Sequence, residues 1–355
     1  MAGPIICNDQ TLCVGFLSGL DHAKISLMAQ TLQEINVGSM DVPVANCRQY
    51  RLPELLLNEG LRGKIRLCTK HVVWAYELGF KKVVVSYTHR PGQSLSLDLC
   101  VTLDRIQRLG LEASVNVENA SDLSIREIED FWPVLEGFAI NTVIYGDRDS
   151  RLDPFSTYET MVAVQDKAPF VIEFHAHNAY GLATANTLSA LQAGIRSVAT
   201  AVAGVGQRGH APFEEVMMAA RHLLEEPAVE ISPKLALACA EILACLGRDV
   251  PLDKAVIGNN IFAHESGIHV HGVVKNPALY EAFSPDEVGL SRHLVIGKHS
   301  GTTSLQVILA ERGISLGDEA ACSLLKEVRR TVMEQKGFLS KAQLLRLYQA
   351  GMCDK

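Results

Sequence analysis

The hydrophobic pattern over roughly the first 200 residues alternates between two periods. Short apolar runs rich in β-branched residues recur about every 30 residues, and each is followed by a segment with the period of an amphipathic helix. This alternation is typical of βαβ units, which place their strands in a parallel sheet. The eight predicted strands begin near Ile5, Ile35, Ile65, Val83, Ala113, Thr142, Val171 and Ser197.

Eight parallel strands with alternating helices close most simply into a (β/α)8 barrel of the TIM type. A doubly wound open sheet is the alternative. In a barrel the chemistry lies on the loops that follow the carboxyl ends of the strands. The chain has 355 residues, which suits a barrel of roughly 250 residues with an additional region.

The barrel pattern ends after the helix predicted over 213–224, where Glu225, Glu226 and Pro227 interrupt the periodicity. The predicted domains are therefore a catalytic-type barrel over 1–230, a lid or linker subdomain over 231–302 and a helical region over 303–355. The linker subdomain begins with one helix and continues into a stretch rich in Gly, His and Asn.

Composition narrows the function classes. Apolar residue types make up 48% of the chain and charged types 21%, which indicates a globular protein. The net charge of −7 and the absence of long basic runs argue against nucleic acid as a partner. No membrane span or signal peptide is evident, so we expect a cytoplasmic protein. The nine cysteines form no CxxC pair, which argues against a zinc knuckle or a disulfide framework.

Two histidines end the seventh predicted strand, in the sequence His175-Ala176-His177. Alternate residues of a strand share a face, so both imidazoles can bind one cation. The plainer alternative is two polar side chains that line the barrel mouth.

A glycine-rich loop, Gly204–His210, follows the eighth predicted strand. Its backbone amides can approach an anion, and His210 can approach the first two imidazoles. The alternative is a tight turn in which the glycines supply positive φ and His210 is merely exposed.

The segment over 262–280 combines four potential acid–base groups with glycines: His264, Glu265, His269 and Tyr280. This composition favours a mobile catalytic lid. A histidine-rich irregular loop without function is the alternative.

Three long motifs give the chain a specific resemblance: EFHAHNAYGLATANTLSALQAGI, FAHESGIHVHGVVKNPALYEAFSPDEVG and LVIGKHSG. Together they resemble the homocitrate and isopropylmalate synthases, most closely homocitrate synthases of the nitrogen-fixation type. The resemblance implies that a divalent cation (Mg, Mn or Zn) holds a 2-oxo acid whose carbonyl is attacked by the enolate of acetyl-CoA, the co-substrate. It implies a dimer in which the lid of one subunit covers the barrel of the other.

The resemblance also assigns roles to individual residues. His175 and His177 match metal ligands, and His210 stands where the family has a ligating Asn. His269 and Tyr280 match the catalytic pair of the lid, and Lys298 and His299 are present as well. The remaining assignments are Glu118 as the catalytic glutamate of the fifth strand, with Arg148, Gly206 and Arg208 as substrate-binding residues.

The first-strand motif departs from the family pattern TLRDG. Here it is Thr11-Leu12-Cys13-Val14-Gly15, so Cys13 replaces the arginine that stabilises the developing alkoxide and Val14 replaces the ligating carboxylate. Asp9 matches a different family position and is not a predicted ligand. Two further matches are altered: Arg148 replaces the substrate threonine, and Asn36 replaces an acid of the second strand.

Three hypotheses follow. In the first, the chain condenses acetyl-CoA with a 2-oxo dicarboxylic acid, 2-oxoglutarate favoured, as a heteromeric subunit that donates His269 and Tyr280 to a homologue with an intact metal motif. In the second, it is a self-sufficient enzyme, as a homodimer, with a three-histidine metal site and an altered substrate. In the third, it is a non-catalytic scaffold or regulatory paralogue.

Overall fold

The computed structural model describes residues 3–48, 50, 60–264, 281–335 and 337–353. The chain divides into two compact units, Met1–Val250 and Pro251–Lys355. Each unit is described by itself.

The first unit is built on a closed barrel of eight parallel strands that neighbour one another in chain order. Strand β1 pairs with β2 on one side and with β8 on the other, so the sheet has no free edge. The predicted (β/α)8 barrel is confirmed. The strands are β1 Ile6–Asp9, β2 Ser39–Pro43, β3 Leu61–Arg66, β4 Lys82–Tyr87, β5 Glu112–Val117, β6 Ile140–Asp147, β7 Val171–Ala176 and β8 Ser197–Thr200.

Helices cover the outside of the barrel and bury their apolar faces against it. Phe16, Phe174 and Phe213 are among the largest side chains without exposed surface, and they pack in the layer between strands and helices. The described helices of this unit are α1 Thr11–Leu17, α2 His22–Glu34, α3 Val44–Cys47, α4 Thr69–Glu77, α5 Leu97–Arg108, α6 Ile125–Glu129, α7 Trp132–Leu135, α8 Pro154–Lys167, α9 Ala183–Gln192, α10 Phe213–His222 and α11 Leu235–Cys245, with 3₁₀ turns at Ala120–Asp122 and Val202–Gly204.

Local sequence explains where several helices begin. The carboxylate of Asp153 accepts hydrogen bonds from the backbone amides of Phe155 and Ser156, and Pro154 occupies the first turn of α8. Ser96 caps α5 in the same way, through the amide of Leu99. These caps fix the residue at which each helix begins.

The second strand lies later in the chain than the sequence predicted. Ile35 is buried at the end of α2, and Asn36 adopts φ 62°, a left-handed conformation that asparagine tolerates in turns. The strand starts at Ser39 and carries a buried carboxylate, Asp41. The prediction that Asn36 replaces the acid of the second strand is therefore wrong, because Asp41 supplies a carboxylate in that strand.

The first unit also extends beyond the boundary placed at 230. Helix α11 packs against α2 and buries Leu235, Cys239 and Ile242. Its apolar face thus belongs to the barrel's outer layer, and the unit ends at Val250.

The second unit contains a small strand pair and a helical core. Strand β9 (Ala263–His264) pairs in parallel with β10 (His293–Leu294), and a 3₁₀ turn lies at Pro285–Glu287. The predicted C-terminal helices are confirmed as α12 Thr302–Ala310, α13 Asp318–Gln335 and α14 Lys341–Cys353. They enclose a core whose fully buried members include Leu305, Val328 and Leu344. Among the described helices, none combines the length and apolar character that crossing a bilayer requires.

Candidate active site at the barrel mouth

A cavity of about 340 Å³ opens at the carboxyl ends of the barrel strands. This is the end at which barrel enzymes carry their chemistry. The cavity walls come from α1, from strands on opposite sides of the barrel and from the loop after β8. The lining residues are Gln10, Cys13, Val14, Leu17, Lys64, Asn116, Glu118, Gly146, Arg148, His175, His177, Gly206, Gln207, Arg208 and His210.

Three imidazoles converge in this cavity. His175 lies in β7, His177 follows it on the same face, and His210 comes from the loop after β8. One ring nitrogen from each lies within 4.8 Å of the others. The Nε2 atom of His175 is 3.1 Å from Nδ1 of His210, a hydrogen bond in which one nitrogen carries the hydrogen. The structure therefore brings together all three predicted metal ligands.

The backbone holds the third imidazole in place. His177 and His210 face each other across a β-bridge, and the amide of Asn178 donates to the carbonyl of Arg208 at 3.0 Å. The Nδ1–H of His177 donates to the carbonyl of Gly209 at 3.1 Å, which leaves a lone pair on its Nε2.

Gly206 makes room for this arrangement. Its φ of 135° is unfavourable for residues with a side chain, and a Cβ at this position would lie 2.5 Å from Nε2 of His210. The imidazole thus occupies the space that a side chain would fill. Gly206 lies in the cavity wall, where the sequence predicted a substrate contact.

Burial keeps the three imidazoles neutral. It lowers the pKa of His175 well below the ordinary value, and repulsion from the neighbouring imidazoles adds to this effect. Burial, with smaller electrostatic contributions from His177 and Lys64, lowers the pKa of His210 to about 3. Burial lowers the pKa of His177 as well. Neutral imidazoles have the protonation state that metal binding needs.

The donor set fits some cations and not others. Within the described part of the chain, the three histidines form a group without a carboxylate. Imidazole suits zinc and similar borderline cations, whereas magnesium requires oxygen ligands. The residues present therefore fit a zinc-like ion and do not fit magnesium.

The altered first-strand motif lies directly in the cavity wall. Cys13 and Val14 belong to α1, which begins immediately after β1, and both line the cavity together with Leu17. Burial raises the pKa of the Cys13 thiol, so this group is uncharged. The wall that carries an arginine and a carboxylate in the resembling family is apolar here.

Asp9 is engaged in local structure instead. Its carboxylate accepts hydrogen bonds from Thr11 Oγ1 at 2.6 Å and from the amide of Leu12 at 3.1 Å, at the start of α1. The Thr11 hydroxyl in turn accepts from the amide of Val202 at 2.8 Å. Burial raises the pKa of Asp9 to about 7. These contacts engage both carboxylate oxygens of Asp9 at the start of α1.

A lower polar layer fills the barrel below the cavity, and sequence reasoning missed it. Arg62 in β3 donates through Nε to Asp41 at 2.6 Å and through its two terminal nitrogens to Glu173 at 2.7 and 3.1 Å. Asn8 donates to both Glu173 and Ser197. All five side chains are buried and bonded to one another, and Ser39 and Gln10 donate further hydrogen bonds to Asn8 and Asp41. We call Asn8, Asp41, Arg62, Glu173 and Ser197 the lower polar layer.

An upper polar layer lies two residues further along the strands, about 7 Å nearer the mouth. Lys64 Nζ donates to Gln10 Oε1 at 3.0 Å, and Gln10 Nε2 donates to Asp41 at 2.7 Å. Asn116 in β5 is buried, and its Oδ1 has no hydrogen-bond partner among the described residues. The upper polar layer comprises Gln10, Lys64, Asn116, His175 and His210.

The predicted substrate arginines lie at the rim and contact acids. Asp149 bridges them: its carboxylate accepts from Arg208 at 2.5 Å and from Arg148 at 3.1 Å. Arg148 also lies 4.0 Å from Glu118, which accepts a hydrogen bond from Thr88 at 3.1 Å. The predicted catalytic glutamate thus belongs to an ion-pair network across the rim.

The predicted lid residues His269 and Tyr280 lie outside the described residues. Lys298 and His299 are exposed residues of the second unit. The catalytic assignments of the lid remain predictions.

Comparisons with known proteins agree with the barrel fold and show the family. Residues 94–240 match the HMGL-like family model, and residues 256–336 match the model described as homocitrate synthase post-HMGL domain-like. The chain is 35% identical to 2-isopropylmalate synthase 2 of Caldanaerobacter subterraneus over 365 aligned residues, which cover 96% of this chain and 92% of that enzyme.

Homocitrate synthase 1 of Nostoc sp. is 38% identical over 239 residues, which cover 67% of this chain and 63% of that enzyme. Among solved structures, HMG-CoA lyase of Bacillus subtilis superposes with a TM-score of 0.56 over 70% of this chain and 95% of its own. Its sequence is 16% identical, so this likeness concerns the barrel fold alone.

Proposed function

The chain belongs to the family of homocitrate and 2-isopropylmalate synthases, and on that premise we propose that it is a homocitrate-synthase-type acyltransferase subunit of a heteromer. Enzymes of this family use a divalent metal and acetyl-CoA and act on 2-oxo acids. The observation that carries the proposal is the presence of Cys13 and Val14 in the cavity wall.

The chemistry explains why these two positions matter. In the condensation, the enolate of acetyl-CoA forms a carbon–carbon bond to the 2-oxo carbon, and the carbonyl oxygen takes up the negative charge. Water then hydrolyses the thioester of the adduct and releases free CoA. Loss of one group that stabilises such an oxyanion typically costs about 10²–10³ in rate. A buried thiol is a weak hydrogen-bond donor, and valine coordinates nothing. This barrel is therefore poorly equipped to stabilise the alkoxide.

A partner chain with an intact first-strand motif supplies what is missing. In the proposed heteromer this chain contributes His269 and Tyr280 to the partner's barrel, where the pair assists enolate formation. We favour 2-oxoglutarate as the second substrate because the motifs resemble homocitrate synthases most closely. Relatives named for either homocitrate or 2-isopropylmalate synthesis support the broader class of 2-oxo acids.

Complementation tests the proposal. The chain is mixed with an intact-barrel homologue whose own lid histidine is mutated, and release of free CoA from acetyl-CoA and 2-oxoglutarate is measured. We expect the mixture to recover activity that neither protein has alone. His269→Ala or Tyr280→Phe in this chain should reduce the rescue by about 10²–10⁴-fold, because these residues act as acid–base groups.

His175→Ala and His177→Ala serve as controls for this chain's own barrel. Both variants should rescue as well as the unmodified chain, since the reaction takes place at the partner's metal. If the histidine variants fail and the lid variants succeed, the donated-lid model is wrong. Rescue by no form of this chain would instead support the scaffold hypothesis.

A second candidate function rests on the histidine cluster. Because His175, His177 and His210 lie within 4.8 Å of one another, they would hold a zinc-like ion that polarises a 2-oxo carbonyl. The chain would then be a self-sufficient enzyme with an altered substrate. Turnover of the purified chain alone at about one per second or faster with zinc would favour this function over the heteromer.

A further inference from the structure

Two polar groups in the cavity wall have no role in the functions considered so far. Lys64 lies in β3 and Asn116 in β5, and both line the same cavity as the three imidazoles. Neither position belongs to a motif that carries the family resemblance. Their charge and hydrogen-bonding capacity therefore need a separate explanation.

Lys64 differs from the arginines of the same cavity in its partners. Arg148 and Arg208 are held by Asp149, and Arg148 is also near Glu118. Within the described residues, Lys64 has no carboxylate partner, and its hydrogen bond goes to the neutral amide of Gln10. An ammonium has three N–H donors, so two are available to a ligand in the cavity.

The two acids of the lower polar layer are already engaged. Asp41 accepts from Arg62 at 2.6 Å and from Gln10 at 2.7 Å, and Glu173 accepts from Arg62 and Asn8. Gln10 lies between Lys64 and Asp41 and separates the two charges. The lower polar layer thus leaves the ammonium group without a contacting counterion.

Asn116 provides an independent observation. It is 4% exposed, lines the cavity and has no partner for Oδ1 in the described part of the chain. A buried amide without a partner costs free energy, and such groups are expected to be satisfied when a ligand binds. Since an amide carries both an N–H donor and a carbonyl acceptor and can turn by 180°, Asn116 can offer either one to a ligand.

We propose that Lys64 and Asn116 form a carboxylate subsite that anchors a small 2-oxo acid in this barrel without a metal ion. The ligand class rests on the proposed function. The subsite goes beyond the proposed function, because it lets this barrel bind the 2-oxo acid even though the barrel does not catalyse the reaction. The ammonium of Lys64 pairs with a carboxylate, Asn116 contacts an oxygen of the ligand, and the apolar wall of Val14 and Leu17 accepts its carbon chain.

Calorimetric titration with 2-oxoglutarate tests the subsite on the full-length chain after treatment with EDTA. We expect saturable binding at millimolar concentrations or below. Lys64→Met should weaken binding by about tenfold or more, because a charge-assisted hydrogen bond is lost. Lys64→Arg should retain most of the affinity, and Asn116→Ala should weaken it by a smaller factor. The matched control is Lys82→Met, an exposed lysine at the other end of the neighbouring strand β4.

Several results would overturn the subsite. One is the absence of binding by the EDTA-treated chain, which would make a metal the anchor. Another is unchanged affinity in Lys64→Met, and a third is a larger loss in Arg148→Met or Arg208→Met than in Lys64→Met. If Lys64→Met does not fold, Lys64→Gln replaces it, since an amide can keep a hydrogen bond to Gln10. The complementation assay reads the partner's turnover, so the two proposals can fail separately.

Discussion

The two polar layers of the barrel interior differ in how their side chains are satisfied. In the lower polar layer every charged group contacts an opposite charge, with Arg62 between Asp41 and Glu173. In the upper polar layer, a lysine contacts an amide, Asn116 has an unpartnered oxygen among the described residues, and two imidazoles share one hydrogen bond. Two residues along the strands, about 7 Å, separate the two layers.

This difference distinguishes polar groups that stabilise the barrel from polar groups that are available to bind a ligand. Burying an ion is unfavourable unless it is paired and hydrogen-bonded, and the lower layer meets that condition within the protein. Among the described residues, the upper layer does not supply an opposite charge for Lys64 or a hydrogen-bond partner for Oδ1 of Asn116. Incomplete satisfaction at a cavity is the condition expected of a binding site.

The largest expected effect tests the lower layer. Arg62→Met leaves the carboxylates of Asp41 and Glu173 buried without their cation, which should lower the free energy of unfolding by about 3–5 kcal/mol. Lys64→Met removes a charge from the same strand and should cost less than about 1 kcal/mol, as its partner is a neutral amide. Urea denaturation measures both. Equal losses would show that the two layers contribute alike to stability.

The pH dependence of stability tests the upper layer. The pKa of His210 is about 3 in the folded chain, below the ordinary value of about 6.5, so its neutral form stabilises the fold above pH 6.5 and this contribution is lost as the pH falls. In EDTA, the unmodified chain should lose up to about 1.4 kcal/mol more than His210→Gln for each pH unit below 6. Urea denaturation at pH 6 and 4 measures the difference.

The comparison with His210→Gln also removes a competing contribution. Asp9, with a pKa of about 7, destabilises the fold as the pH rises from about 4 towards 7, and it does so in both proteins. The difference between the two profiles therefore reports His210 together with its effect on the pKa of His175. Parallel profiles would mean that His210 titrates normally in the folded chain.

Metal selectivity gives a smaller effect. Zinc at one hundred times its dissociation constant should raise the free energy of unfolding by about 2.7 kcal/mol, whereas magnesium at the same concentration should have no effect. His175→Ala should abolish the response to zinc, and the exposed His222→Ala should keep it. Strong stabilisation by magnesium that depends on His175 would show that a carboxylate completes the site.

The barrel was predictable because its strands are apolar runs at a regular interval. The second strand was misplaced since Ile35 and Val37 resemble a strand, although Ile35 packs as the end of α2. The β-branched pattern does not distinguish a buried helix end from a short strand. The residues that form β2, Ser39–Pro43, include serine, aspartate and proline and thus give a weak strand pattern.

The candidate site was predictable where residues form a compact motif. His175 and His177 are neighbours on one strand face, and His210 ends a glycine-rich loop, so local sequence identified the cluster. Lys64 and Asn116 were missed because each is a single polar residue in an ordinary strand. That both line one cavity depends on barrel closure, which brings β3 and β5 to it. The spacing of Arg62 and Lys64 was the available indication, as both must face inward.

Gly206 links two positions that would otherwise change independently during evolution. Because a Cβ there would meet the ring of His210, any mutation that adds a side chain at 206 must displace the imidazole. We therefore expect relatives that keep histidine at position 210 to keep glycine at position 206. Relatives with a smaller residue at 210 can accept a side chain at 206. Substitutions at the two positions should thus occur together.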